Sequence, residues 1–237
     1  MSVGAIWTFD ENGQLAPVKS FPQAGVLLVS CLIKPGTTRV EARDRIRSCV
    51  REALVEWLGL SLYAITFNSI PGHAPRLIID GLPEPGFSIS HEAGLSLAAV
   101  NLQGPVGIDV MQVQDVADWQ VVAQDYLGPD VAAGLLSVPE ATRPAAFARA
   151  WCAREALLKL HGRELAEWGA MERLDGVGVE VDLGGQVGWR GGGTATGEEI
   201  LPACDVYPVG VSLLTKRPAW PPQIYVHCLN AFASKLA

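Results

Sequence analysis

Residues 143–161 constrain this chain more than any other stretch. Phe147, Trp151, Leu157, Leu158 and Leu160 give the run a broad apolar side, alanines fill the gaps, Pro144 stands at its start and Gly162 just past its end. A proline lacks only an N–H that the first helical turn does not use, and glycine readily takes the left-handed conformation that closes a helix. The spacing therefore predicts one long amphipathic helix, which must bury its apolar side against a second layer. Glu155 and Lys159 are four residues apart and leave the same side of it. From the helix alone a surface ion pair is the favoured reading, since such pairs are ordinary helix decoration. A metal ligand beside a phosphate clamp is the other reading.

The stretch upstream bears on that choice. Residues 104–111, Gly-Pro-Val-Gly-Ile-Asp-Val-Met, read as a strand, with Val106, Ile108 and Val110 on one face and Gly107, Asp109 and Met111 on the other. Aspartate is depleted in strands, so Asp109 must be paired, exposed or bound to something. Before it come Phe87-Ser-Ile-Ser-His91, Gly94 and an apolar run over 95–100. These predict a hairpin with Ser90 and His91 at its turn.

Ser90-His91, Gly107-Ile108-Asp109 and Trp151-x-x-Arg154-Glu155-x-x-x-Lys159, in this order and spacing, resemble the phosphopantetheinyl transferases of the surfactin-synthetase-activating type. The resemblance runs from about Arg47 to Lys159. It implies an α+β (α/β) fold with pseudo-twofold symmetry: two similar α/β halves, 1–103 and 104–237, meeting near residues 101–105 with the ligand cleft between them. It also implies a holo-[acyl-carrier-protein] synthase activity. In that reaction the 4'-phosphopantetheine arm of coenzyme A passes, with Mg2+, to a serine of an acyl or peptidyl carrier protein, and 3',5'-ADP is released.

Carried over residue by residue, the resemblance makes Asp109 and Glu155 the metal ligands, with Glu155 also placed to take the serine proton. Lys159 would neutralise a phosphate and could protonate the leaving group. Ser90 and His91 would donate hydrogen bonds to phosphates, and Arg47, followed by Arg51, would hold the 3'-phosphate. A guanidinium suits that task because its fork matches phosphate oxygens and keeps its charge. There are three departures. Met111 stands where the family has a third carboxylate, and a thioether is a poor ligand for a hard cation; water or another polar side chain would complete the shell. Arg154 replaces a lysine. Gly72-His73-Ala74-Pro75-Arg76 replaces the family's basic loop, with His73 or Arg76 as the substitute. Two other readings use the same residues: a non-catalytic coenzyme A or carrier-protein binding homologue, and a metal phosphohydrolase with water as nucleophile.

The rest of the chain is consistent with a mixed fold. Strands are predicted over 5–9, 26–33 and 62–68, followed by a turn-rich loop over 70–75. Thr37 or Thr38 caps a helix over 39–58 that Gly59 ends, its core side Ile46, Cys49, Val50, Ala53, Leu54, Trp57 and Leu58. Arg39, Arg43, Arg47 and Arg51 form a stripe along it, most of it read as solvated and balanced by Glu41, Asp44, Glu52 and Glu56, with the resemblance setting Arg47 and then Arg51 apart. Asp115 or Asp118 caps a helix through Trp119, Val122 and Tyr126, and a short helix covers 131–136. Closing strands follow over 177–183, 206–214 and 224–229, around a glycine-rich stretch over 184–197 that matches no phosphate-loop motif.

A net charge of −7 argues against a general nucleic-acid surface. Five scattered cysteines without C-x-x-C spacing fit reduced thiols, and no apolar run has signal or membrane-spanning length. These features predict a cytoplasmic protein without membrane association; the resemblance adds that it is a monomer.

Overall fold

The first long helix begins where the sequence supplies a capping box. The Thr38 hydroxyl accepts the Glu41 N–H at 3.3 Å, and the Glu41 carboxylate accepts the Thr38 N–H at 2.8 Å. From this cap α1 (Arg39–Leu58) runs to Gly59, whose φ of 66° closes it in the left-handed region. The computed structural model describes residues 4–16, 18–21, 24–70, 72–92, 94–170, 177–179, 209–215 and 228–229. The predicted glycine-rich stretch over 184–197 lies outside them.

α1 buries Ala42, Ile46, Cys49, Val50, Ala53 and Leu54 against a five-stranded sheet; Trp57 and Leu58 close the end of that face half-buried. The strands are β1 (Gly4–Phe9), β2 (Lys19–Phe21), β3 (Val26–Leu32), β6 (Gly86–Glu92) and β7 (Leu95–Asn101), in the order β2-β1-β3-β7-β6. β4 (Ile65–Asn68) and β5 (Arg76–Ile79) form a separate hairpin whose Phe67 packs on Phe87. The strand expected over 62–68 starts late. Ser61 accepts the Tyr63 N–H and winds Leu62–Ala64 into a 3-10 turn, a local bond that competes with strand pairing.

The β6–β7 hairpin corrects one expectation. Ser90 pairs in register with Leu97, and His91 with Ser96, so both lie inside β6 and the turn falls beyond Glu92. Their alternation along a strand, not a turn, decides where their side chains go.

Residues 101–105 carry the chain from β7 to β8 (Val106–Gln112), the edge of a second sheet. Its described strands are β8, β9 (Val177–Val179), β10 (Val209–Thr215) and β11 (Cys228–Leu229), in the order β11-β10-β8 with β9 also paired to β10. Between β8 and β9 come α2 (Trp119–Val122), which passes into a π-type turn over Ala123–Leu127, then α3 (Pro129–Ser137) and α4 (Arg143–Leu160). Asp118 stands at the α2 N-cap position without making a side-chain capping bond. α4 has the expected limits and packs across β8 and β10. On α4 the Trp151 ring lies 6.0 Å from that of Phe147 and 5.9 Å from that of Tyr126, centroid to centroid.

Gly107 explains how closely α4 approaches β8. A Cβ there would lie 1.9 Å from the Ala156 carbonyl oxygen and 2.7 Å from Leu160 N, so only glycine permits this packing. The fold is mixed α+β. Among the described residues no helix is long and apolar enough to cross a membrane.

Candidate active site

Asp109 is the acid that the sequence made conspicuous, and it is paired. It is buried on β8, and its Oδ1 accepts hydrogen bonds from Lys159 Nζ at 2.6 Å and Ser90 Oγ at 2.7 Å. Lys159 reaches it from α4. The surface pair with Glu155 that the helix alone favours is therefore not what forms. The ammonium also donates to Ser90 Oγ and to the Ile108 carbonyl, both at 3.2 Å, so all three of its hydrogens are used.

Glu155 lies one turn before Lys159 on α4, half-buried. Burial and the nearby Asp109 charge raise its pKa above the ordinary carboxylate value, with Lys159 and Arg154 opposing. A carboxyl whose charge is disfavoured beside a second acid suits a hard divalent cation, which takes one or two carboxylates with phosphate oxygens and water. Among the described residues no group of three His, Cys, Asp or Glu side chains gathers to hold a metal. Met111 is half-buried and packs with Val116 and Trp119 against Ala123 and Leu127, so it belongs to the core and not to the acid pair.

Ser90 and His91 part company as neighbours on a strand do. Ser90 turns toward β8 and α4, where its single proton goes to Asp109 and its oxygen accepts from Lys159 and from the Val110 N–H at 3.3 Å. The expected donation to a phosphate has no proton left to make it. His91 turns the other way, its Nδ1 2.8 Å from Ser96 Oγ, and lines an open cavity of ≈ 380 Å³. Burial pushes the His91 pKa down to about 4, reinforced by the positive charges of Arg39, Arg43, Lys159 and Arg47. It is a neutral imidazole among cations.

The cavity lies between α1 and the β4–β5 loop. Arg39, Arg43 and Arg47 line it from α1, and His73 from the loop. Arg39 and Arg43, expected as solvated stripe, thus share a concave surface with Arg47; their four-residue spacing was the signal. Burial and the Arg43 charge press the Arg47 guanidinium below its ordinary pKa, against the opposing pull of Asp44. Arg47 bonds to Ser69, while its buried Nε has no hydrogen-bond partner among the described residues. Crowded cations with an unmatched donor are the electrostatics of an anion site.

Two expected basic residues lie elsewhere. Arg51 sits over the Phe67 ring, 5.1 Å from its centroid, and does not line the cavity. Arg76 forms a two-pronged ion pair with Glu84, so of the two candidate loop substitutes only His73 faces the cavity. Arg154 is buried over the Trp168 ring at 4.9 Å, a structural stacking role.

Sequence reasoning missed Cys152. It shares a face of α4 with Glu155 and Lys159, is fully buried, and its thiol hydrogen-bonds to Asp109. Its spacing of three and seven residues from those two was the available signal.

Comparison with known proteins bears on this arrangement. Residues 105–187 match the 4'-phosphopantetheinyl transferase superfamily profile. The chain is 29% identical over 123 residues to the 4'-phosphopantetheinyl transferase HetI of Nostoc sp. (strain PCC 7120 / SAG 25.82 / UTEX 2576), covering 51% of this chain and 52% of that protein. It is 26% identical over 127 residues to the 4'-phosphopantetheinyl transferase psf-1 of Bacillus pumilus, covering 52% and 53%. The chain thus spans about half the length of the curated relatives it matches. The matched segment contains both the strand that carries Asp109 and the helix that carries Glu155 and Lys159, and over that segment the chain is similar to the 4'-phosphopantetheinyl transferase superfamily.

Proposed function

We propose that this protein transfers the 4'-phosphopantetheine arm of coenzyme A to a serine of an acyl or peptidyl carrier protein, as a transferase of the surfactin-synthetase-activating type. One observation carries the reading: Ser90 of β6 bonds to Asp109 and Lys159 at the acid pair, and the next residue on that strand, His91, lines a cavity with three arginines. Coenzyme A has the matching charges, a pyrophosphate and a separate 3'-phosphate. The junction near residues 101–105 then separates two α/β halves, 1–103 and 104–237, with the ligand between them. The reaction belongs in the cytoplasm, on a monomer.

Arg47, with Arg39 and Arg43 beside it, holds the 3'-phosphate, and His91 donates to a phosphate once that charge favours its protonated form. The carrier serine oxygen forms a new bond to the β-phosphorus, the bond from that phosphorus to the bridging oxygen breaks, and 3',5'-ADP carries the electron pair away. Glu155, its pKa raised, takes the serine proton directly or through water. Lys159 exchanges one of its protein acceptors for a phosphate oxygen and neutralises the charge developing there. Mg2+ held by Asp109 and Glu155 would neutralise pyrophosphate charge, with water where the family has a third carboxylate.

The test is the mass of an apo carrier protein after incubation with coenzyme A and Mg2+. Addition of one phosphopantetheine, with equimolar 3',5'-ADP, is expected. An unmodified carrier in a mixture where coenzyme A binds would overturn the transferase reading, as would hydrolysis of coenzyme A without transfer.

A further inference from the structure

β6 is joined to β8 by side chains. Ser88 Oγ accepts the Ile108 N–H at 3.1 Å, Ser90 Oγ the Val110 N–H at 3.3 Å, and Glu92 Oε2 the Gln112 N–H at 3.3 Å. Buried strand-edge N–H groups need partners, and alternate side chains of β6 supply them where a neighbouring strand would offer carbonyls. These rungs flank Asp109 on both sides. The middle rung reaches the acid and the lysine as well. Ser90 also donates to Asp109 Oδ1 and accepts from Lys159, which uses its whole hydrogen-bonding capacity within the protein. On the next residue of the same strand, His91 faces the arginine cavity.

We propose that Ser90 is a positioning residue, which fixes the Asp109 carboxylate and the Lys159 ammonium in register with the arginine cavity and does not itself touch the ligand's phosphates. β6 is then the ruler between the two ends of the ligand: His91 reads one end, and Ser90 sets the groups that act at the other. The kinetic part of this inference rests on the transferase reading; the binding part does not.

The test compares Ser90→Ala and Ser90→Cys with Ser88→Ala, which removes a neighbouring rung without touching Asp109 or Lys159. Mn2+ binding to the ligand-free protein is followed by electron paramagnetic resonance, and metal-free coenzyme A binding by calorimetry. Ser90→Ala is expected to weaken Mn2+ binding by about tenfold, the scale of one hydrogen bond to a charged group, while coenzyme A binding stays within about twofold of wild type. Ser90→Cys keeps the side-chain shape with a somewhat larger atom and weaker hydrogen bonds; it should show a smaller loss of Mn2+ affinity in the same direction. Ser88→Ala should lower the melting temperature and leave Mn2+ affinity unchanged. In transfer assays Ser90→Ala should lower kcat without raising KM for coenzyme A.

Loss of metal-free coenzyme A affinity in both Ser90 variants would overturn the proposal in favour of a phosphate contact. Unchanged Mn2+ affinity in both, or an equal loss in Ser88→Ala, would also overturn it. If wild-type protein transferred nothing yet the Mn2+ pattern held, the transferase reading would fail and the positioning role would stand.

Discussion

Lys159 Nζ lies 2.6 Å from Asp109 Oδ1, so the cation of α4 is paired across the interface with the acid of β8 and not with Glu155 on its own helix. The two acids of the site are therefore not equivalent. Asp109 has a counter-charge and further donors; Glu155 is left with burial and a like-charged neighbour as the main influences on it.

Replacing each acid should consequently have opposite effects on stability, although both substitutions should abolish transfer. Glu155 has a folded-state pKa raised above its ordinary 4.5, so its ionisation destabilises the ligand-free fold. That penalty is absent at low pH and grows as pH rises from 4.5 through the folded-state pKa. Glu155→Gln should melt at a higher temperature than wild type at neutral pH, and the difference should close on acidification. Asp109→Asn deprives Lys159 of its partner and should cost about 1–3 kcal/mol, below the full value for a buried pair because the lysine is partly exposed. Thermal melts across pH check both signs, and a melting temperature lowered equally by the two substitutions would contradict this asymmetry.

Gly107→Ala tests the contact that sets the distance between Asp109 and the helix carrying Glu155 and Lys159. Its Cβ would meet the Ala156 carbonyl oxygen at 1.9 Å, and backbone cannot move aside as a side chain can. α4 must shift off β8, at a cost of about 1–3 kcal/mol or more. The Mn2+ or Mg2+ concentration for half-saturation should rise with it, since both metal ligands are displaced relative to each other. A folded Gly107→Ala protein with normal metal binding would show that α4 is not held in register there.

Much of this was legible in the sequence where local chemistry decides the outcome. The Thr38–Glu41 capping box, Gly59, Pro144 and the β-branched run around Asp109 each carry their own signal, and α1, α4 and β8 formed within a residue or two of expectation. The acid pair with Lys159 was legible through motif spacing. What was not legible depends on tertiary placement. The four-residue spacing of Arg39, Arg43, Arg47 and Arg51 puts them along one side of α1, but it does not tell that the first three meet a loop from β4–β5 while the fourth lies over Phe67. Likewise no local rule shows that Ser90 faces inward to β8, because that follows from the position of the hairpin turn two residues beyond His91, not from Ser90 itself.

Met111 occupies the place of an expected third carboxylate, and its surroundings predict how a restored acid would behave. It packs with Val116 and Trp119 against the cluster that contains Ala123 and Leu127. Met111→Glu should therefore place a charge among apolar groups and destabilise the protein by about 1–3 kcal/mol. The melting temperature should fall by several degrees, with little change in the Mg2+ concentration for half-maximal rate. A normal melt with a sharply lowered metal requirement would show that the side chain can swing out to the acid pair.

His91 gives a second pH signature of opposite sign. Its folded-state pKa of about 4 lies below its ordinary 6.5, so the unfolded chain binds the extra proton between these values. Stability from this group is complete above pH 6.5 and is lost as pH falls toward 4, a change of about 1–2 kcal/mol once solvent screening of a half-buried group is allowed for. His91→Gln should flatten that part of the stability profile. Burial depresses the pKa most, and the charges that add to it are all cations, Arg39, Arg43, Lys159 and Arg47, so a bound phosphate should raise it and draw in a proton. Calorimetry of coenzyme A binding in buffers of different ionisation enthalpy near pH 6 should detect that uptake in wild type and not in His91→Gln.

Arg47 is the residue on which the identity of the cavity turns. It stands with Arg39 and Arg43 on one face of α1, its pKa lowered by burial and by the Arg43 charge, and its Nε has no hydrogen-bond partner among the described residues. If the cavity takes the 3'-phosphate, Arg47→Ala should weaken coenzyme A binding by roughly 1.5–3 kcal/mol, the range for a hydrogen bond to a charged group. Dephospho-coenzyme A, which has no 3'-phosphate, should bind wild type more weakly and should be almost indifferent to the substitution. Arg39→Ala and Arg43→Ala should show the same selectivity to a smaller degree, and Arg51→Ala, over Phe67 and outside the cavity, should show none. Equal losses for both ligands in Arg47→Ala would point to a disturbed fold, and no loss for either would remove the phosphate from this cavity.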